Sequence, residues 1–222
     1  ARALQPLTRK GTLGKTILCV MRPCEIRASV ELAKLHQVDL ADILFLGVDC
    51  PGALPTRLYI ADHERYAAEF NILRQTFLGE GLRPTCTTCL HFSMADVPSD
   101  IHIGLLGMPE NTLMVVPGSE KGAECLRKIG YDPVDDTAPW KQKVDEHRKI
   151  RKEQRKSAFT AVREKTSGID DLDAYFADCI NCHNCMRVCP ICYCRQCFFD
   201  SPDAVRLEAQ NYVARADTKG GI

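Results

Sequence analysis

Hydrophobic and polar positions along the first 135 or so residues predict strands and helices in turn. Short apolar runs, typical of buried strands, occupy residues 16–21, 43–48, 101–106 and 112–116. Apolar residues at helical spacing predict helices over residues 25–36, 61–78 and 120–129. The apolar stripe of the second helix would include Tyr66, Phe70, Leu73 and Phe77. Alternation of this kind favours a layered α/β sheet, with Ser119 as the N-cap of the last helix.

A change in composition follows at residues 141–165. This segment carries ten Lys and Arg residues against four Asp and Glu residues, and neither Pro nor Gly interrupts it. The pattern predicts a long helix, and two interpretations stay open. The helix is either a solvated bridge between two modules or a docking surface for an acidic partner.

Charge and hydropathy exclude several classes of protein. Lys and Arg number 29 and Asp and Glu also number 29, which argues against a general nucleic-acid binder. No apolar run approaches the roughly 18 residues of a membrane span. The first residues, ARALQPLTRK, contain no apolar segment typical of a signal peptide. We therefore expect a cytoplasmic protein with no membrane span.

Cysteine is the residue type that does not fit an ordinary globular domain. The chain has 13 cysteines, and seven of them lie between Cys179 and Cys197. An odd number cannot pair completely within one chain, and disulfide-rich secreted scaffolds are usually much shorter. The cysteines therefore indicate metal-binding thiolates in a reducing compartment.

The sequence CINCHNCMRVCP near the C-terminus has the spacing C-x2-C-x2-C-x3-C followed by Pro. This is the bacterial ferredoxin pattern, which predicts a 4Fe–4S cluster, whereas a structural zinc site is the alternative. We call its ligands the C-terminal motif: Cys179, Cys182, Cys185 and Cys189. Cys189 either closes this cluster or serves another one whose remaining ligands lie outside the chain. His183 is expected to be a loop residue that hydrogen-bonds near a sulfide.

Three cysteines that follow the motif have no standard spacing. They would supply a missing ligand, join another cluster or be buried thiols: Cys192, Cys194 and Cys197. Elsewhere, Cys19 lies inside a predicted strand and Cys125 inside an amphipathic helix, so both are expected in the core.

A second group of cysteines is spread over the α/β part. Cys24 and Cys50 each follow a predicted strand, where open α/β sheets bind ligands, and Cys86 and Cys89 form a C-x2-C pair. A thioredoxin-like pair is disfavoured, because a loop rather than a strand precedes it. We call these four residues the core cysteine set; they either converge on one cluster or are unrelated buried thiols.

Two arginines lie where the first strand leads into a helix. Arg22 and Arg27 would pair with a phosphate there, although ordinary helix-start and surface charges are the alternative. The chain has neither G-x-G-x-x-G nor a Walker A motif, which disfavours a standard nicotinamide Rossmann site.

Four segments together resemble the beta subunits of coenzyme F420-reducing hydrogenases and formate dehydrogenases. They are RPCEIRASVELAKL, ILFLGVDCPG, CTTC followed by ADVPSDIHIGLLG, and CINCHNCMRVCPICYCRQCFFDSP, which is similar to the formate dehydrogenase branch. The resemblance covers roughly residues 14–221. Members of this branch are longer at both ends, so the chain is expected to be a fragment of a longer member.

The resemblance implies an α/β flavin-binding core with a mixed sheet, a helical linker and a ferredoxin-like α+β iron–sulfur module. Their expected boundaries are residues 1–138, 139–167 and 168–222, the last module being incomplete. It implies FAD and two or more 4Fe–4S clusters, one of them on the core cysteine set. Arg22, Arg27 and Gly47 are the expected flavin contacts.

The implied function is electron transfer in a multi-subunit oxidoreductase, typical of anaerobic metabolism. Electrons would pass between a flavin and 4Fe–4S clusters, and the flavin would exchange hydride with F420, a nicotinamide or a partner flavoprotein. The alternative is a flavin-free wire between a formate dehydrogenase or hydrogenase catalytic subunit and a heterodisulfide-reductase-like partner. A third alternative is a zinc-stabilised structural domain.

Overall fold

The structure is a computed structural model that describes residues 1–76, 79, 81–132, 136–180 and 189. The chain forms two compact units, Ala1–Phe176 and Ala177–Ile222. The first unit contains these elements in chain order: α1 (Leu4–Thr8), β1 (Ile17–Met21), α2 (Pro23–Lys34), β2 (Ile43–Val48), α3 (Thr56–Ala61), α4 (His63–Thr76), α5 (Pro84–Thr87), β3 (Ile101–Gly104), β4 (Met114–Pro117), α6 (Glu120–Lys128), α7 (Ala138–Glu164) and α8 (Ile169–Phe176). Among the described helices, none has both the length and the apolar character needed to cross a membrane.

The four strands form one mixed sheet in the order β1-β2-β3-β4. β1 pairs with β2 and β2 pairs with β3 in parallel, whereas β3 and β4 are antiparallel. The register places Ile17 opposite Ile43 and Met21 opposite Gly47, so β1 and β2 run side by side along their length. The predicted mixed α/β sheet is confirmed, and the carboxyl ends of the parallel strands meet at one edge.

Side-chain alternation along β2 gives the sheet two buried faces. Ile43 packs with Leu4 and Leu32, which come from α1 and α2. Leu44 packs with Leu126 of α6 on the opposite side. Since successive side chains of a strand point to opposite faces, α1 and α2 cover one face and α6 covers the other.

Asp100 joins the start of β3 to α6. Its carboxylate accepts hydrogen bonds from the Phe45 N–H at 2.7 Å and from the Ser119 hydroxyl at 2.7 Å. Ser119 Oγ in turn accepts the Gly122 N–H at 3.1 Å, which confirms the predicted N-cap. These hydrogen bonds attach the start of α6 to β2 and to the start of β3.

The predicted helix over residues 61–78 is confirmed as α4 (His63–Thr76), which begins two residues later because α3 ends at Ala61 and Asp62 separates the two helices. The Asp62 carboxylate accepts the Arg65 N–H at 3.1 Å, which stabilises the start of α4 and favours the break. Phe70 is 41% exposed, so the apolar stripe of this helix does not lie in the core. Phe77 lies outside the described residues.

The long basic helix is confirmed as α7, but one face of its first half is buried. Four residues at successive turns of the first half are buried: Trp140, Val144, His147 and Arg151. Trp140 and Val144 pack with Phe92, Leu106 and Met114. From residue 152 onwards nearly every side chain of α7 is exposed. The first half of the helix is therefore part of the α/β unit.

Candidate iron–sulfur site

The core cysteine set lies on three separate segments. Cys24 is in the first turn of α2, directly after β1, and Cys50 lies two residues beyond the end of β2. Cys86 is in the short helix α5, and Cys89 follows the end of that helix. The first two positions agree with the expectation that ligands bind at the carboxyl ends of parallel strands.

Backbone hydrogen bonds hold the segment of Cys50 against the segment of Cys86 and Cys89. The Cys50 N–H donates to the Phe92 carbonyl at 2.7 Å, and the Arg83 N–H donates to the Ala53 carbonyl at 2.9 Å. The Cys89 N–H donates to the Cys86 carbonyl at 3.3 Å, which curls the C-x2-C pair into a turn. Two loops that are 36 residues apart in the chain, counted from Cys50 to Cys86, therefore lie side by side.

The thiols of Cys24 and Cys50 are close enough to others of the core cysteine set to be affected by them. Burial raises the pKa of Cys24, and the nearby Cys89 and Cys86 thiols add to this rise. Burial also raises the pKa of Cys50 to about 11, with smaller contributions from Cys24 and Cys86. The structure thus brings together the four residues that sequence reasoning grouped. Their role as cluster ligands stays a prediction.

The donor set has the chemistry of an iron–sulfur site. Among the described residues, no three His, Cys, Asp or Glu side chains are placed to hold one metal ion. A 4Fe–4S cluster needs a wider arrangement of ligands, because each cysteine thiolate binds a different iron. The four cysteine sulfurs are therefore further apart than the ligands of a single metal ion. Four cysteines from three loops, with no carboxylate among them, fit such a cluster.

Arg151 of α7 lies beside the core cysteine set and is 2% exposed. Its guanidinium donates to the Pro51 carbonyl at 2.6 Å and to the Cys89 carbonyl at 3.3 Å. Burial lowers the pKa of Arg151, whereas the Cys89, Cys50 and Cys86 thiols act in the opposite direction. A buried cation therefore faces three of the four thiols.

A cavity of about 510 Å³ opens two residues from Cys50, at Gly52. Its walls are mainly apolar and aromatic, with side chains from α3, α4 and the loop before α5: Tyr59, Tyr66, Phe70, Leu73 and Leu82. The stripe predicted on the second helix thus lines a cavity. The stripe residues Tyr66, Phe70 and Leu73 are among the lining residues.

Comparison with curated proteins identifies two relatives. The beta subunit of F420-dependent formate dehydrogenase 1 from Methanococcus maripaludis is 27% identical, and the match covers 80% of this chain and 54% of the relative. The F420-dependent formate dehydrogenase beta subunit from Methanocaldococcus jannaschii is 24% identical over 86% of this chain and 58% of the relative. The chain is similar to formate dehydrogenase beta subunits.

The similarity to formate dehydrogenase beta subunits confirms the resemblance drawn from the four sequence segments. No family model matches the chain. The chain spans a little more than half the length of the two beta subunits that it matches.

The three expected flavin contacts do not line the cavity. The Arg22 guanidinium is held by the Glu25 carboxylate at 2.8 Å and lies near Cys24 and Cys50. Arg27 is exposed and close to His91, whose pKa is lowered by burial and by the Arg27 charge. Gly47 is buried, and a methyl group there would overlap the side chains of Met94 and Ser99. Their roles toward a flavin stay predictions.

The C-terminal motif falls mostly outside the described residues. Cys179 is exposed and Cys189 is half-buried. The remaining predicted positions, which lie outside the described residues, are Cys182, His183, Cys185, Cys192, Cys194 and Cys197. Cys19 and Cys125, which were expected in the core, are half-buried and pack against two of its apolar clusters.

Sequence reasoning missed two residues that shape the site. Arg151 continues the buried positions of α7 at residues 140, 144 and 147, and this spacing was the available signal. Asp49 lies between the end of β2 and Cys50, is 2% exposed and accepts hydrogen bonds from the Met94 and Leu105 N–H groups and from the Trp140 indole N–H. An acidic residue directly after a continuous apolar strand was the signal for Asp49.

The raised pKa of Cys50 predicts slow alkylation. In the reduced, metal-free protein at pH 8, Cys50 is expected to react with iodoacetamide roughly 100-fold more slowly than an ordinary thiol, because its thiolate is rare. Peptide mass spectrometry over time measures each cysteine separately. In denaturant Cys50 and Cys24 should react at similar rates. A native Cys50 that reacts as fast as the exposed Cys24 would contradict the burial of this thiol.

Proposed function

We propose that this chain belongs to the beta subunit of an oxidoreductase related to F420-dependent formate dehydrogenase, where it transfers electrons between a flavin and 4Fe–4S clusters. The observation that carries the proposal is the convergence of Cys24, Cys50, Cys86 and Cys89 from three segments. Both relatives are beta subunits of F420-dependent formate dehydrogenases, which supports formate dehydrogenase as the type of complex and F420 as the hydride partner.

The core cysteine set would bind one 4Fe–4S cluster through four thiolates. Such a ligand set is anionic, and two arginines flank it. Arg22 interacts with Cys24 and Cys50 on the exposed side. Arg151 interacts with Cys50, Cys86 and Cys89 on the buried side. The Arg22 charge favours the thiolates of Cys24 and Cys50 over the thiols, and the thiolate is the form that binds iron.

The cavity beside Gly52 would take the flavin ring. A flavin, when bound, accepts or gives a hydride and exchanges single electrons with a nearby cluster. Tyr59, Tyr66 and Phe70 offer aromatic surfaces for stacking, and Gly52 in the cavity wall is two residues from Cys50, a proposed cluster ligand. Arg22 and Arg27 remain proposed partners for the phosphates of FAD.

The C-terminal motif would bind a further 4Fe–4S cluster and carry electrons towards a partner subunit. The partners would be a formate dehydrogenase catalytic subunit and a heterodisulfide-reductase-like subunit. The exposed second half of α7, which includes Lys152, Arg155 and Lys156, offers a basic surface to an acidic partner. A flavin-free wire remains the rival function, and flavin content separates the two.

Iron, sulfide and flavin stoichiometry of the anaerobically purified full chain tests this proposal. We expect about eight iron atoms and eight sulfides per chain if both cysteine sets bind 4Fe–4S clusters, together with one flavin. Cys50→Ser and Cys182→Ser should each remove about half of the iron, because each change removes a ligand of a different cluster. Cys125→Ser is the matched control, since Cys125 belongs to neither set.

Three outcomes would contradict the proposal in different parts. Unchanged iron content in Cys50→Ser would contradict a cluster on the core cysteine set. Iron without flavin would favour the flavin-free wire. Zinc in place of iron and sulfide would reduce the chain to a structural domain.

A further inference from the structure

The proposed function uses the charge of Arg151 but does not explain why this side chain is buried between two loops. A guanidinium that is 2% exposed has lost most of its hydration, which costs several kcal/mol unless polar or charged groups compensate. Its position on α7 is fixed by the turns before it, where Trp140 and Val144 are anchored in the core. The helix therefore holds this cation rigidly against the cysteine loops.

The guanidinium bridges two loops that carry cluster ligands. One nitrogen, Nη2, donates to the carbonyl of Pro51, the residue directly after Cys50, at 2.6 Å. The other, Nη1, donates to the carbonyl of Cys89 at 3.3 Å. The planar fork of an arginine serves two acceptors at once, whereas a lysine ammonium is a single point charge.

An aromatic ring and three thiols also lie near the guanidinium. Its carbon lies 4.7 Å from the centroid of the Phe92 ring, a cation–π distance. The Cys50, Cys86 and Cys89 thiols also interact with its charge. Cys24 lies nearer to Arg22, so the buried cation acts on one part of the cysteine set.

We propose that Arg151 is a positioning residue that clamps the Cys50 and Cys89 loops together and supplies a fixed positive charge that raises the reduction potential of the core cluster. The inference rests on the proposed function, because it requires a cluster on the core cysteine set. Reduction adds one electron to the cluster while the four thiolate bonds stay intact. A fixed cation nearby stabilises this extra negative charge more than the oxidised form.

Three variants made in a Cys182→Ser background, where the remaining iron belongs to the core cluster, test the inference. Arg151→Gln removes the charge, and Arg151→Lys keeps it but loses the fork. Arg155→Gln removes the same charge one turn later, at an exposed residue that stacks on Phe159. The measurements are iron content, a dithionite titration followed by electron paramagnetic resonance, and thermal unfolding of the metal-free protein.

Arg151→Gln is expected to lower the ratio of reduced to oxidised cluster at a fixed potential roughly tenfold. Arg151→Lys should stay close to the parent in this ratio but hold less iron, since its loops are clamped less well. Arg155→Gln should match the parent in both. Arg151→Gln could also bind no iron. The inference then still holds if Arg151→Lys binds iron and if both metal-free variants unfold at the same temperature as the metal-free parent.

Two results would overturn the inference. One is an unchanged reduction ratio in an iron-loaded Arg151→Gln variant. The other is loss of iron in both Arg151 variants together with a lower unfolding temperature of the metal-free protein, which would mean a structural role alone. Absence of iron from the Cys182→Ser parent itself would instead contradict the proposed function.

Discussion

Asp49→Asn is expected to lower the free energy of unfolding of the metal-free protein by about 3 kcal/mol. Asp49 is 2% exposed and lies between the end of β2 and Cys50. Its Oδ1 accepts the Met94 N–H at 2.9 Å. Its Oδ2 accepts both the Leu105 N–H at 3.2 Å and the Trp140 indole N–H at 2.6 Å. One carboxylate thus ties together the end of β2, the segment at residue 94, the end of β3 and α7.

The amide of Asn cannot replace these contacts. An NH2 group in place of Oδ2 would face two donors, and an NH2 group in place of Oδ1 would face the Met94 N–H. Either orientation leaves buried donors without an acceptor, which is the costly case for a hydrogen-bond change. Because the same turn carries Cys50, we also expect lower occupancy of the core cluster.

Urea unfolding of the reduced, metal-free protein measures this effect, with Asp96→Asn as the matched control. Asp96 forms a partly exposed ion pair with Arg148, and removal of such a pair changes stability by about 1 kcal/mol or less. If Asp49→Asn and Asp96→Asn differ from the parent by similar small amounts, the Asp49 contacts do not stabilise the fold as described.

The sheet was predictable because its strands are short, continuous apolar runs. Residues 43–48 were predicted and found as a strand without change, and residues 16–21 differ from β1 by one residue. The cap at Ser119 was likewise predictable, since it depends on one side chain and a backbone N–H three residues later. Signals of this kind are local, so the fold around them does not change them.

The cysteine set was only partly predictable. The positions of Cys24 and Cys50 follow from the topology of parallel strands, whose carboxyl ends share one edge. The approach of Cys86 and Cys89 depends on long-range contacts, such as the bond from Cys50 N–H to the Phe92 carbonyl, which no local pattern indicates. For these two residues the resemblance to a known family was the deciding information.

Charge misled the interpretation of α7, and periodicity misled the interpretation of α4. Arg151 was counted among the residues of a solvated basic segment, although it occupies a buried position of α7. Tyr66 and Phe70 formed an apolar stripe, and a stripe shows that a face is apolar without showing what covers it. In the fold this face lines the cavity beside Gly52.

Replacement of His147 is expected to remove about 3 kcal/mol of pH dependence from the free energy of unfolding. His147 is 3% exposed and lies on the buried face of α7. Burial lowers its pKa from the ordinary value of 6.5 to about 4, and the charges of Lys143 and Arg151 act in the same direction. Between these two values the unfolded chain binds a proton that the folded chain does not.

The sign of this effect follows from the lowered pKa. The contribution of His147 to stability is fully present above pH 6.5, falls as the pH decreases below 6.5, and is lost by about pH 4. Asp49 acts in the opposite direction, because burial raises its pKa and its proton therefore favours the folded state in acid. The effect of His147 is therefore measured as the difference in the free energy of unfolding between variant and parent at each pH.

Urea unfolding of His147→Gln and of the parent, at steps between pH 7.5 and 4, gives this difference. Relative to the parent, the variant should gain stability steadily as the pH falls through this window. His63→Gln is the control for the loss of an exposed imidazole, at the start of α4. Parallel curves for His147→Gln and the parent would mean that this imidazole binds a proton as readily in the fold as in the unfolded chain. In that case the packing around Arg151, one turn further along α7, would be more open to water than the structure shows.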